Sequence, residues 1–530
     1  MKDTKTDLKR IADDYFGYMA RAYPVMCLSD EFYFLPRAEG AMKFLTEIDS
    51  LDSDKIAGDI RYIKGLQKEL QAIDPDPSDL DARIDLVMLN ESISLYLEEF
   101  ETTQIYRRDP ALYINILMLG VDHLITKLSS IVPEKKKFIE MRLKKIPRLL
   151  DEAKRNLKDP PLPYVERGLQ MAEAARLYLI SHLPHSKELD KVLEKIEEFK
   201  DLLHKLAKGT DSNTNIVERA ALESILKNGY SYNRPLEEIF QIAKSEYKKV
   251  LDQMDKIASD ASPKKEWQAM LLKYKLPAKD PGELLSLYAG QIDKLRGLTT
   301  TEDLVTLPYL QNILVVETPK YLAPVRASAS YSCPLTMNER EAAYFYISIF
   351  LGEVKSKFEN IHQEYIFVSA HETYPGHHLL DTIRRSLENP IRRQIESPFF
   401  YEGWASYAEE LIAELGYVKT PEEKLIGLRR QAWRAIRAML DVGTRINKLT
   451  HDEGGRMLTD IGYSRNVVKA MITHYSLTYG YQLCYTIGKF ELEQLKKEFV
   501  SKLGLKKFHD TLLYDGQIPF DLCRERMKRL

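Results

Sequence analysis

Pro375-Gly376 lies inside the stretch His371-Glu372-Thr373-Tyr374-Pro375-Gly376-His377-His378 and forbids one unbroken helix through it. Pro375 stands four residues after His371, has no N–H to bond the His371 carbonyl, and its ring collides with the preceding turn. Gly376 tolerates irregular backbone at no steric cost. The pair predicts a bulge between two helical segments, which turns His377 back toward His371. His378 is the rival partner, because seven residues return to nearly the same helix face. A rise of about 10 Å over those seven residues is long for one ion. With His377 as the ligand, His378 lies behind the metal ligands or faces a bound molecule.

Histidines converging beside a Glu are the start of a hydrolytic zinc site, which needs imidazoles and a carboxylate on the metal and a separate carboxylate for the proton. The segment SPFFYEGWASYAEELIAELG, from Ser397, reads as a second helix that puts Glu402, Ser406 and Glu409 along one side. Glu402 is the expected third ligand. The roughly 25 residues from His377 to Glu402 allow one helix to end and the next to pack antiparallel to it. A lone His-Glu pair is common in helices, and a lone acid in a first helical turn commonly serves the helix dipole. Here three of the 11 histidines fall within eight residues beside a helix-breaking Pro-Gly, and that combination favours metal binding.

At these residues the chain resembles the gluzincin peptidases, whose third ligand is a Glu on a downstream helix, and YEGWA at 401–405 is similar to their NEGFA-like helices. It resembles more closely a widespread prokaryotic family, long labelled a domain of unknown function, that carries HExxPGHH followed by EGWA and is regarded as a family of zinc peptidases. A third block, Thr478-Tyr479-Gly480-Tyr481-Gln482-Leu483-Cys484-Tyr485-Thr486-Ile487-Gly488, looks like the GYFPTYTLG segment of thermostable metallocarboxypeptidases and the Gly-Tyr-Tyr segment of thimet-type oligopeptidases. The resemblance implies a large helical zincin-like fold with a deep cleft. It further implies His371, His377 and Glu402 as Zn2+ ligands, Glu372 as general base, and Tyr485, with Tyr481 as substitute, as oxyanion donor. It covers roughly residues 365–490 and, more faintly, Arg107-Arg108-Asp109-Pro110-Ala111-Leu112-Tyr113. One block departs from the family pattern: Asp441-Val442-Gly443-Thr444-Arg445 ends in Arg where the family usually has His, and Arg445 becomes a candidate for a substrate carboxylate.

The wider sequence predicts a mainly α protein. From Thr6 to Leu295 apolar residues recur at three and four, with breaks at Pro75-Asp76-Pro77, Pro160-Pro161 and Pro184. Between Leu304 and Pro334 the pattern turns β-rich over Leu310–Thr318 and Val325–Tyr331, which predicts a small hairpin or sheet near the metal site, and helices are expected again from Asn338 onward. Length alone allows about three domains; the change of period divides the chain into a helical region, 1–300, forming one cleft wall, and a zinc-binding catalytic region, 301–530.

With 77 Lys+Arg against 79 Asp+Glu, nothing points to nucleic acid or to a membrane surface. The charged start MKDTKTDLKRIADDYF and the lack of any ~18-residue uncharged apolar run give a cytoplasmic expectation. The four isolated cysteines offer neither a disulfide framework nor a thiolate zinc site. The expected function is zinc-dependent hydrolysis of short peptides, as a carboxypeptidase or oligopeptidase. The rival expectations are a peptide-binding protein with a vestigial metal site and a hydrolase of a non-peptide amide.

Overall fold

Apolar periodicity accounts for the helices. In Thr4–Ala22 the buried residues are Leu8, Ile11, Ala12, Tyr15, Phe16, Met19 and Ala20, recurring at three and four, with charged residues between them. The computed structural model describes residues 4–209, 219–261, 266–308, 312–323, 328–336, 338, 341–349 and 362–530. The expected breaks fall between helices: Ser53–Gln71 ends before Pro75, Lys135–Asn156 before Pro160, and Leu162–His182 before Pro184. Caps are written into the sequence. Asp52 accepts from Asp54 and Lys55 N–H to start Ser53–Gln71, and Asp109 accepts from Ala111 N–H, with Pro110 opening Pro110–Ile125. That last helix is apolar on all sides and buried, so other helices surround it. Most of the buried apolar residues form one core that runs from Leu8 to Met527, and Tyr331, Cys333 and Ala343 form a small separate cluster at the sheet.

The expected β element is a three-stranded sheet with a different topology from a hairpin. Strands β1 (Ile313–Glu317), β2 (Ala329–Ser332) and β3 (Ala343–Ile347) are ordered β1-β3-β2. β3 runs parallel to β1, with Ile313 opposite Ala343, and antiparallel to β2, with Ala329 opposite Ile347. β1 and β2 therefore do not pair with each other. The middle strand comes from a stretch expected to be helical. Its sequence, Ala343-Tyr344-Phe345-Tyr346-Ile347, is aromatic and β-prone, and Ala343, Phe345 and Ile347 are fully buried. The expected β residues 310–311 and 325–327 lie outside the described residues.

β2 is buried along its whole length and is tied to the helical body. Lys127 Nζ donates to Ser332 Oγ at 2.5 Å and to the Cys333 carbonyl at 2.6 Å. Asp30 accepts from Ser332 Oγ and from Cys333 N–H at 3.0 and 2.7 Å. These bonds fix the sheet edge next to the helix that carries His371.

Candidate metal centre

The helix Tyr365–Glu372 stops at the residue before Thr373, and a new helix, His377–Ser386, starts after Pro375-Gly376. A Cβ on Gly376 would lie 1.9 Å from the His371 carbonyl oxygen and 2.3 Å from that of Ala370, so only glycine allows the chain to fold back this tightly. The fold-back places the His371 and His377 rings 4.6 Å apart. The third member arrives on the helix Pro398–Glu414, whose Trp404 donates its indole N–H to the Pro375 carbonyl at 2.8 Å and joins the break to the second helix.

His371, His377 and Glu402 each present one ligand atom, all within 4.8 Å of one another. Glu402 Oε2 lies 3.3 Å from His371 Nε2 and 3.5 Å from His377 Nε2. The three residues are 5%, 4% and 5% exposed, and Glu402 Oε2 accepts no well-formed hydrogen bond. A buried carboxylate oxygen facing two imidazole nitrogens with no donor of its own is a donor set that a divalent cation satisfies. Burial works against ionising Glu402, yet the two imidazoles hold its carboxyl well below the usual carboxylate range.

Each imidazole has its own support. His371 Nδ1 lies 3.1 Å from Glu409 Oε1, and Glu409 accepts from Arg430 at 2.9 and 3.1 Å and from Arg434 at 2.7 Å. Both arginines come from the helix Pro421–Gly443, which a Thr420–Glu423 capping box begins. Arg434 also approaches His371 Nδ1, at 3.2 Å, but its bond to Glu409 is the shorter. Nδ1–H thus donates to Glu409, which leaves Nε2 unprotonated toward the cation. Burial opposes the Glu409 charge as well, but Arg430 and Arg434 keep its carboxyl well below the ordinary value. On the other side, the His377 ring stacks on Tyr401 at 3.9 Å and 14°. Tyr401 donates to Asp381 at 3.0 Å, and Asp381 is in turn held by Arg384 at 2.7 and 2.9 Å. Glu409, one helical step on from Ser406, was legible as sharing the Glu402 face; Tyr401 and Asp381 carried no signal.

Glu372 does not join the ligand group. Its Oε2 accepts from the Tyr331 N–H at 2.9 Å, on the edge of β2 that β3 does not use. The carboxylate of the residue that follows His371 is therefore held at the sheet edge. The helix Cys484–Leu503 completes the surroundings. It crosses Pro398–Glu414 at a glycine pair, where a Cβ on Gly403 would meet the Gly488 backbone at 2.7 Å, and this close approach sets the tyrosine block against Glu402. Tyr481 donates to Glu402 Oε1 at 2.6 Å. Tyr485 lies 6.0 Å from Tyr481 and 6.2 Å from His371, ring to ring. Burial, reinforced by the Glu402 charge, raises both phenols above the ordinary tyrosine value, so both remain protonated donors.

The family model described as "Bacterial protein of unknown function (DUF885)" matches residues 40–527, a span that includes every residue of this centre. The chain belongs to the DUF885 family. Two solved structures are similar to the DUF885 chain over nearly their whole lengths. One is a candidate lipoprotein of unknown function from Shewanella oneidensis, 17% identical, with a TM-score of 0.75, covering 98% of this chain and 99% of that one. The other is a candidate lipoprotein from Colwellia psychrerythraea, 16% identical, with a TM-score of 0.80 and coverage of 99% and 98%. At these identities the likeness establishes a common fold. No curated protein matches the chain.

Two further residues of the DUF885 chain singled out by sequence sit outside the ligand group. His378 packs edge-on against Tyr331 at 5.7 Å and Tyr374 at 5.3 Å and lines a cavity of about 20 Å³ with Asn312, Glu341, Thr382 and Arg385. His377 thus takes the place next to His371 and Glu402. Arg445 donates to the carbonyl of Asp441 and to its Oδ1, the latter at 3.1 Å, with its side chain 6% exposed. Asp441 also accepts from Gly480 N–H at 3.1 Å and Leu483 N–H at 3.3 Å. This pairing gives Arg445 a partner inside the protein and makes it part of the support for the turn that carries Tyr481.

Proposed function

We propose that this protein is a zinc-dependent hydrolase of peptide bonds in short peptides. The observation that carries the reading is the meeting of His371, His377 and Glu402 within 4.8 Å, with a separate carboxylate on the residue after His371, Glu372, held outside the ligand group by Tyr331 N–H. Held by those three residues, a zinc ion supplies Lewis acidity that polarises a carbonyl and acidifies water. A closed structural site has four protein ligands and no use for a neighbouring base, whereas three ligands plus Glu372 is the donor set of an open one.

The protein groups divide the remaining work. Tyr331 N–H holds Glu372 Oε2, so Oε1 takes the proton from the attacking water and returns it to the leaving amine. Tyr481 is committed to Glu402 Oε1 by its 2.6 Å bond. Tyr485, in looser contact with the same carboxylate, donates to the developing oxyanion, a contact worth about 3 kcal/mol.

Glu372→Gln tests the reading directly. Turnover of a mixed short-peptide library should fall by about 10²–10⁴-fold while zinc per chain, read by elemental analysis, stays unchanged. A chelator should abolish wild-type activity and added zinc restore it. An active Glu372→Gln protein, or activity indifferent to the chelator, overturns the proposal. A cytoplasmic location accompanies this reading; the description of both structural relatives as lipoproteins names the competing one, and cell fractionation distinguishes them.

A further inference from the structure

Among the described residues six arginines are buried: Arg142, Arg384, Arg392, Arg430, Arg434 and Arg437. A guanidinium removed from water needs a counter-charge or a full set of acceptors. Arg384 has Asp381, Arg392 has Asp81, Asp85 and Asp515, and Arg430 and Arg434 have Glu409. Arg142 has no acid within ion-pair distance among the described residues and is met by the carbonyls of Gly120 and Glu47.

Arg437 differs from the four acid-paired arginines, and unlike Arg142 it lies against the metal centre's own tyrosine. It is 5% exposed, its Nε donates to the neutral amide oxygen of Gln482 at 2.8 Å, and no carboxylate of the described residues lies within ion-pair distance of it. Aromatic rings take the place of a counter-ion. The guanidinium lies 4.1 Å from the Tyr485 centroid, 4.6 Å from Trp433 and 5.2 Å from Tyr475. Cation–π contacts steady a charge without neutralising it. The position is also particular, because the Tyr485 ring that Arg437 covers is the one stacked 6.2 Å from the ligand His371.

We propose that Arg437 is the seat for a substrate carboxylate, so that the centre selects peptides bearing a free carboxylate at a fixed step from the bond to be cut. The inference rests on the peptide-hydrolase reading above and adds a substrate class to it. A planar fork set among aromatic rings, with its remaining N–H groups unclaimed by any acid of the described residues, matches the two oxygens of a carboxylate. That carboxylate belongs either to the peptide's C-terminus or to an acidic side chain near it. Arg445, the sequence-based candidate for this task, is already paired with Asp441.

Binding tests the seat without turnover. Calorimetry is run on the full chain carrying Glu372→Gln, both zinc-loaded and metal-free, with three probes: N-acetyl-trialanine, its C-terminal amide, and that amide with glutamate as the last residue. The free acid, the glutamate amide or both should bind about 10- to 100-fold more tightly than the plain amide, and whichever does so identifies the source of the carboxylate. The preference should persist without metal. Adding Arg437→Gln should erase it, while Arg437→Lys, which keeps the charge and loses the fork, should retain part of it; if the Gln variant fails to fold by thermal melt, the Lys variant decides. Equal affinity for all three probes, or a preference that survives both substitutions, overturns the seat. A carboxylate preference in a protein that hydrolyses nothing sinks the proposed function and leaves the seat standing. Hydrolysis of acids and amides at equal rates does the reverse.

Discussion

His371 and His377 face the same carboxylate oxygen, yet the two sides of the centre are built from opposite physics. His371 is backed by charge: Glu409 lies on its Nδ1, and two buried arginines lie on Glu409, with Glu364 behind Arg430. His377 is backed by a flat ring, the Tyr401 stack at 3.9 Å, and charge enters only one bond further out at Asp381. Removing one member of a buried ionic set strands the others, a loss of about 3–5 kcal/mol, whereas an aromatic pair contributes about 0.5–1.5 kcal/mol. One ligand is therefore held rigidly on a brittle support and the other loosely on a tolerant one.

The largest effect should follow Glu409→Ala, which leaves Arg434 without an acid and Arg430 with Glu364 alone. Thermal melts should show a loss of about 3–5 kcal/mol, and zinc affinity should drop by about 10–100-fold. The pH dependence has a definite sign. The folded-state carboxyl of Glu409 is lowered, so its stabilisation is complete above its unfolded value of about 4.3 and fades as pH falls through the folded one. Wild type and variant should thus converge only in acid; convergence near neutrality would mean that the arginines are not what hold this carboxylate.

Gly376→Ala should come next, because it strikes the link between the two sides. The new methyl meets backbone atoms of Ala370 and His371 that cannot step aside, so a loss of about 3 kcal/mol is expected together with reduced metal per chain. A variant as stable and as well loaded as wild type would show that the fold-back is not what brings the histidines together. The smallest effects belong to Tyr401. Tyr401→Leu should cost about 1 kcal/mol and less than tenfold in zinc affinity, and Tyr401→Phe, which keeps the stack and loses the bond to Asp381, still less. If Tyr401→Leu proved as damaging as Glu409→Ala, the contrast between the two supports would collapse.

The metal triad was legible because its logic is local. Proline and glycine chemistry between His371 and His377 dictates a fold-back, and Glu402 opens a helix at a workable distance along the chain. The sheet was half legible. β1 and β2 announced themselves by composition, but β3 was passed over because Tyr344 and Tyr346 are half-buried or buried and leave no alternation of polar and apolar residues. What stayed hidden is non-local. That Arg437 lacks an acid while Arg445 owns one depends on where Asp441 and Tyr485 come to rest, and that Tyr401 covers His377 depends on the crossing of two helices. Spacing along one chain cannot report which of several arginines a distant acid will choose.

The bond from the Trp404 indole to the Pro375 carbonyl has one more consequence. It staples the segment bearing both imidazoles to the segment bearing the acid through a contact that involves no donor of the triad. The geometry an ion would meet is thus already paid for by ordinary packing, and capture need not order a floppy chain first. A sample stripped by chelation should therefore melt as one cooperative body, unlike a zinc finger, which comes apart when its metal is removed.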